Sequence, residues 1–212
     1  MAPSKHDRLK RLEQLVDERS EQLDLVRGEL RRSAGIDELT GLSNFSRFLE
    51  CLRLEWRRAL RNRSALSVIR IGVNHFKAYN ERLGPRTGDD CLVQLARLFV
   101  PIARRPGDLI ARYVAAEFVM VLSETTEAGA LHVADRLKQV VTDAAIPHPA
   151  SPLADLVTVC LGIATAEPSL DFAWEDLELL AAAGKALVLA RQTGRDTVAL
   201  SIAGCAPAPV DE

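Results

Sequence analysis

The stretch that decides the fold is RYVAAEFVMVL, residues 112–122. An apolar run ends at Val114 and another begins at Glu117, so the pattern predicts two adjacent strands joined as a hairpin. Two-residue hairpin turns favour Asn-Gly, Asp-Gly or Gly-Gly because their central residues need positive φ. This tip reads Val-Ala-Ala, and a Cβ-branched residue is poorly suited to positive φ. The sequence therefore predicts a different turn or a longer loop at this point.

The composition indicates one ordinary domain with an extension. The chain has 212 residues, 48% apolar and 5% aromatic, so a core of aliphatic and alanine side chains is expected. The net charge of −2, from 27 basic and 29 acidic residues, argues against a general nucleic-acid or membrane-surface binder. The sequence shows neither a signal peptide nor a membrane-spanning run, so a cytoplasmic protein is expected. Four separated cysteines are interpreted as small hydrophobic residues in a reducing compartment: Cys51, Cys91, Cys160 and Cys205.

The first 34 residues are typical of a long helix with heptad spacing. The spacing predicts a parallel homodimeric coiled coil through residues 8–33, and the alternative is a helix that docks on its own domain. The glycines and polar residues of SAGIDELTGLSN, residues 33–44, mark the boundary of the following domain. We therefore predict a helix over 1–34, a domain over 35–202 and a disordered tail over 203–212. The heptad positions are Leu9, Leu12, Val16, Arg19, Leu23, Val26 and Leu30.

Beyond this boundary, helical and strand patterns alternate. Ser43 or Asn44 is predicted to cap the first helix. PRTG, residues 85–88, is predicted to be a turn, and Asp89 or Asp90 to cap the helix after it. The predicted order is helix, strand, two helices, strand hairpin, helix, strand, helix, strand. This order favours an α/β (α+β) domain with a single mixed sheet covered by helices.

Several motifs together resemble one family. From Asp37 to Ala199 the chain is similar to the GGDEF domain of bacterial diguanylate cyclases. The resemblance implies a nucleotide-cyclase-like five-stranded mixed sheet with flanking helices, and a role in signal transduction. The stretches that carry it are DELTGLSN, IGVNHFKAYNERLGPRTGDD, RYVAAEF, VTVCLGIA and AAAGKALVLARQTGRDTV.

The resemblance also implies a degenerate catalytic site. The family's two turn glycines, which let the backbone approach GTP phosphates, correspond to Val114 and Ala115. Its Mg²⁺-binding carboxylates correspond to Gly72 and Ala116. Since phosphoryl transfer in this family needs that metal, the sequence predicts no catalytic residue, no bound metal, no cofactor and no enzyme activity. The degenerate signature comprises Val114, Ala115, Ala116, Glu117 and Phe118.

Other family contacts to GTP are retained. Asn80 and Asp89 match the pair that reads the guanine edge, and Arg191 and Arg195 match the residues that hold phosphates. For Asn80 and Asp89 the alternative is capping, since both were predicted to lie at helix–turn junctions.

A second nucleotide site of the family, the product-inhibition site with the pattern R-x-x-D, also has a counterpart. Arg105 and Asp108 form this pattern upstream of the signature turn, and Arg136 matches a third contact on the following helix. An arginine guanidinium can donate a pair of hydrogen bonds to the O6/N7 edge of guanine, and an aspartate carboxylate can accept hydrogen bonds from guanine N–H groups. The alternative is that Pro106 and Gly107 form a turn, Asp108 begins a strand and Arg105 is solvated.

Three functions follow from these residues. The first is a cyclic di-GMP receptor and signalling adaptor that uses the R-x-x-D site, with cyclic di-GMP as a regulatory ligand and a second protein as its partner. The second is a nucleotide-independent interaction scaffold dimerised by its coiled coil. The third is slow GTP hydrolysis or GTP sensing. The sequence favours the first.

Overall fold

The computed structural model describes residues 35–152, 155–168, 175–193 and 197–201. The predicted coiled coil, the predicted tail, Cys205 and Arg195 lie outside these residues, and the domain boundaries remain a prediction. None of the helices in this part of the chain is long and apolar enough to cross a membrane.

The predicted fold is confirmed: five strands form one mixed sheet in the order β2-β3-β1-β4-β5. Strand β1 lies at its centre and is antiparallel to both β3 and β4, and β5 joins β4 in parallel. The strands are β1 Leu66–Val73, β2 Leu109–Val114, β3 Glu117–Leu122, β4 Val159–Ala166 and β5 Val198–Ser201. The helices are α1 Phe45–Asn62, α2 Phe76–Leu83, α3 Pro85–Phe99, α4 Glu127–Asp143 and α5 Asp176–Thr193.

Strand alternation divides the core into two layers. Ile69 and Ile71 of β1 belong to the cluster that includes α3 and α4. Val68 belongs to the cluster on the opposite face of the sheet, which includes α1 and α5. Helix α1 presents an apolar face to that second layer, and Asn44 caps it as predicted, because its side chain accepts from Arg47 N at 2.9 Å. Glu117 and Arg70 lie on the same face of the sheet as Val68 because of this alternation.

Helix α3 begins earlier than the sequence predicts. It starts at Pro85, directly after Gly84, so PRTG is its first turn and not a separate one. Proline suits the first helical position, since its missing N–H would have no partner within the helix there. Asp89 and Asp90 therefore lie inside the helix, and the predictions that either caps it are wrong.

The hairpin tip decides between the two predicted alternatives, a different turn or a longer loop. Val114 pairs with Glu117, so Ala115 and Ala116 form a two-residue turn. The connection is therefore a short turn and not a longer loop. The positive φ, +48°, falls on Ala115, an unbranched residue. A register shift at Tyr113 accompanies the turn. Arg112 donates from Nε and Nη2 to the Ala115 carbonyl at 3.1 and 3.0 Å, which holds this conformation in place without glycine.

Candidate functional site

A cleft of about 850 Å³ lies between the hairpin tip, the end of β1 and helices α2 and α3. We call it the hairpin cleft. It brings together most of the residues predicted from the GTP-binding positions of the family, although they come from four separate parts of the chain. Its lining includes Asn80, Asp89, Arg112, Val114, Glu117 and Arg191.

Glu117 is the centre of a charged cluster on one wall of this cleft. Its Oε2 accepts from Arg70 Nη2, and its Oε1 accepts from Arg191 Nη1 at 2.9 Å. The Arg70 guanidinium also lies over the Tyr113 ring, 3.6 Å from its centroid. The side chains of Arg70 and Glu117 are only 11% and 18% exposed. One carboxylate is thus shared by two guanidinium groups, and the cluster carries a formal charge of +1.

The positions that hold Mg²⁺ in the family do not fit this metal here. Gly72 and Ala116 offer no carboxylate, and Mg²⁺ requires oxygen ligands. A Cβ added at Gly72 would lie 2.2 Å from Arg191 Nη2, so a guanidinium fills the space above this residue. Asn74 is also occupied, since its Nδ2 donates to Thr158 Oγ1 at 2.9 Å. Both oxygens of Glu117 accept from arginine, and we assign no metal-dependent step to this cleft.

The two predicted base-reading residues, Asn80 and Asp89, also line the cleft. Asn80 lies within α2, and its Oδ1 is buried without a hydrogen-bond partner among the described residues. Asp89 is exposed on α3. Neither residue caps a helix, so the structure supports neither capping alternative. The Asn80 Oδ1 packs against Gly88 of α3, where an added Cβ would lie 1.8 Å from it.

The remaining signature residues divide between rim and core. Val114 is 56% exposed and lies at the rim of the hairpin cleft, so its side chain does not fill the cleft. Phe118 is fully buried and packs edge-on against Phe99, with ring centroids 5.3 Å apart. Its contacts are those of a core residue of the sheet.

A second cleft, of about 510 Å³, lies beside the RPGD stretch, and we call it the turn cleft. Arg105 lines it, together with Arg58 and Glu55 of α1 and with Glu124 after β3. Glu55 is 5% exposed, and its Oε1 accepts from Arg58 Nη1 at 2.6 Å. Arg105 is exposed at the edge of this cleft.

Asp108 has a structural role behind Arg105. Its Oδ1 accepts from Ser123 N at 3.1 Å, and its own N–H donates to Arg105 O at 3.0 Å, which closes the turn. Burial raises the pKa of this carboxyl, and the hydrogen bonds from the Ser123 and Arg105 backbones oppose that rise. Gly107, at φ +95°, has the conformation expected for the third residue of a Pro-Gly turn.

Arg136 does not line the turn cleft. It lies exposed on α4, and within the described residues no hydrogen bond or ion pair links it to Arg105 or Asp108. The structure instead places Arg58 and Glu55 beside Arg105. Neither was predicted from the sequence, because they lie on a helix about fifty residues earlier and no local spacing connects them to RPGD.

The fold and the motifs agree with one family. The model of the family described as diguanylate cyclase, GGDEF domain, matches residues 34–197, and the chain belongs to this family. Diguanylate cyclase DosC of Escherichia coli is 32% identical over 172 residues, which are 80% of this chain and 36% of DosC. A diguanylate cyclase of Vibrio cholerae is 29% identical over 172 residues, 81% of this chain and 51% of the relative. The chain thus spans between about a third and a half of these relatives' length.

A solved structure of a diguanylate cyclase has the same fold as this chain. Diguanylate cyclase SiaD of Pseudomonas aeruginosa, crystallised in complex with its activator SiaC, superposes with a TM-score of 0.69 at 27% identity. The alignment covers 92% of this chain and 74% of SiaD.

These comparisons contradict one prediction. Gly72 and Ala116 led to the prediction that the chain is not an enzyme. The matched family is one of diguanylate cyclases, and the relatives at 29% and 32% identity bear that name. The prediction of a non-enzyme is therefore wrong, and the chain is placed in an enzyme family.

Proposed function

We propose that this GGDEF domain is a receptor for cyclic di-GMP, that the turn cleft is its binding site and that the bound state acts on a protein partner. The observation that carries the proposal is the meeting of Arg105 with Arg58 and Glu55 in one cleft. Cyclic di-GMP carries two phosphates and two guanine bases. Guanidinium groups bind phosphates and the guanine O6/N7 edge, and carboxylates accept from guanine N–H groups.

The backbone beneath Arg105 is already ordered for such a role. The RPGD turn is closed by the Asp108 N–H on Arg105 O. A Cβ at Gly107 would lie 2.5 Å from Ser123 Oγ and 3.1 Å from Glu55 Oε2, so the turn packs closely on both neighbours. A fixed turn lowers the conformational entropy lost on binding. Asp108 supports the site by shaping this turn, whereas Glu55 presents its carboxylate directly to the cleft.

The same cleft connects a ligand to helix α1, which contributes Glu55 and Arg58. A ligand that draws Arg58 away from Glu55 alters a contact at the 5% exposed carboxylate of this helix. Such a change can bias what the domain presents to a partner. The SiaD structure holds a protein partner on a related chain, which supports the adaptor part of the proposal by analogy.

Isothermal titration with cyclic di-GMP tests the proposal. Wild type is expected to show saturable binding, and Arg105→Ala to weaken it by roughly tenfold or more, because a charge-assisted contact is lost. Arg104→Ala is the matched control, since it removes an exposed arginine from the neighbouring position. It is expected to bind as wild type does. Arg58→Ala is expected to weaken binding as Arg105→Ala does.

Two results would overturn the proposal. No heat with wild type would exclude the receptor and leave the nucleotide-independent scaffold as the function to pursue. Equal loss in Arg104→Ala and Arg105→Ala would show attraction to basic charge in general and no defined site. Incorporation of GTP into cyclic di-GMP, measured on the same sample, reports separately on the activity that the family name describes.

A further inference from the structure

The hairpin cleft is lined by guanidinium groups and by polar side chains of α2 and α3. Arg112 and Arg191 lie at the hairpin end, where Glu117 belongs to the cluster with a formal charge of +1. Asn80 and Lys77 of α2 and Asp89 of α3 also line the cleft. A ligand that carries negative charge matches the guanidinium groups.

Arg191 occupies the position from which a carboxylate would hold a metal. Its guanidinium lies over Gly72, with Nη2 only 2.2 Å from where a Cβ would stand. Glu117 fixes it through Nη1 at 2.9 Å, and its side chain remains 38% exposed toward the cleft. A guanidinium binds phosphate oxygens directly in a forked geometry. The positive charge needed beside a phosphate is therefore part of this chain.

We propose that the hairpin cleft binds the phosphates of a nucleotide directly on Arg191 and that this binding requires no divalent cation. Glu117 and Arg70 are positioning residues in this arrangement. Glu117 orients Arg191, and Arg70 compensates the second oxygen of Glu117 while it stacks on Tyr113. The proposal is independent of cyclic di-GMP binding at the turn cleft.

The first test compares GTP with guanosine by isothermal titration, in EDTA and in excess Mg²⁺. GTP is expected to bind equally well in both buffers. Guanosine, which lacks phosphates, is expected to bind roughly 10- to 100-fold more weakly in EDTA, since it loses charge-assisted hydrogen bonds. Arg191→Met is expected to bring GTP to the affinity of guanosine.

Two variants at Gly72 distinguish the effect of an added carboxylate from the effect of an added Cβ. Gly72→Ala and Gly72→Asp both place a Cβ against Arg191, but only aspartate offers a metal ligand. Both are expected to weaken GTP binding in EDTA. Mg²⁺ is expected to restore binding to Gly72→Asp alone, because its carboxylate supplies an oxygen ligand that alanine lacks. Thermal melts of each variant without ligand confirm that the domain is folded.

Three results would overturn the inference. They are GTP binding to wild type only when Mg²⁺ is present, no GTP binding in either buffer, and unchanged binding in Arg191→Met. The Arg105→Ala variant distinguishes binding at the hairpin cleft from binding at the turn cleft, since it is expected to leave GTP binding in EDTA unchanged. A loss in Arg105→Ala would assign the bound GTP to the turn cleft and contradict the inference.

Discussion

The hairpin cleft and the turn cleft are each organised by one glutamate, but the two glutamates meet arginines of different exposure. In the hairpin cleft, Glu117 accepts from Arg70 and Arg191, whose side chains are 11% and 38% exposed. In the turn cleft, Glu55 accepts from Arg58, which is 50% exposed. Water can replace the partner of an exposed guanidinium, but it cannot readily reach a buried one.

This difference shows two ways in which a cleft can present guanidinium groups to a ligand without a metal. The hairpin cleft uses its carboxylate to hold arginines in place, and excess positive charge results. The turn cleft pairs Glu55 with a single arginine of α1 and leaves Arg105 at its exposed edge. In the first arrangement one carboxylate is shared by two guanidinium groups, whereas in the second the single partner of the carboxylate is half exposed.

The largest expected effect comes from removing each glutamate charge in turn. Glu117→Gln leaves two adjacent guanidinium groups without a counter-charge. Because removal of one partner from a buried pair costs about 3–5 kcal/mol, we expect the free energy of unfolding to fall by about 3 kcal/mol. Glu55→Gln should cost only about 1 kcal/mol, since Arg58 can be rehydrated. Urea denaturation of both variants measures the difference, and equal costs would remove the distinction between the clefts.

A smaller effect is expected at the hairpin tip. Ala115 has a φ of +48° that glycine adopts without strain. Ala115→Gly is therefore expected to raise the free energy of unfolding by about 0.5–1 kcal/mol. Ala116→Gly, the same change at the next position, should lower it by about 0.5–1 kcal/mol, because that residue has no positive φ to relieve. Thermal melts measure both, and a shared sign would show that Arg112 has removed the strain.

The smallest effect concerns the pH dependence of the turn cleft. Burial raises the pKa of Asp108 above its ordinary value of 3.8. The folded state therefore binds this proton more tightly than the unfolded state, and the resulting stability is present below pH 3.8 and lost as the pH rises through the raised pKa. Asp108→Asn keeps an acceptor oxygen for Ser123 N and carries no titrating charge. We expect its melting temperature, relative to wild type, to rise with pH across this window.

Asp90→Asn is the control for that series, since it removes one exposed negative charge from α3. It should not reproduce the pH-dependent difference. A melting-temperature difference, Asp108→Asn minus wild type, that falls as the pH rises would contradict the prediction. It would show that the charged form of Asp108 strengthens the turn more than its burial weakens it.

Local pattern was enough to predict most of the secondary structure. The alternation in LSVIRIGV identifies β1, and the capping side chain of Asn44 marks the start of α1. The error at Pro85 and the choice left open at Ala115 both arise where two local rules compete. Proline marks both turns and first helical positions, and a non-glycine residue accepts positive φ when a neighbour such as Arg112 holds its carbonyl.

The sequence by itself determined the family and the order of the elements, and it put Gly72 and Ala116, which have no carboxylate, where the resemblance implies metal-binding carboxylates. Only the tertiary structure decided what stands in their place. Sheet register sets Gly72 opposite Glu117, and the packing of α5 brings Arg191 over both. Periodicity describes residues two to four positions apart, whereas the contact between Glu117 and Arg191 joins residues separated by 74 positions. For the same reason, Arg58 and Glu55 could be placed beside Arg105 only after the chain was folded.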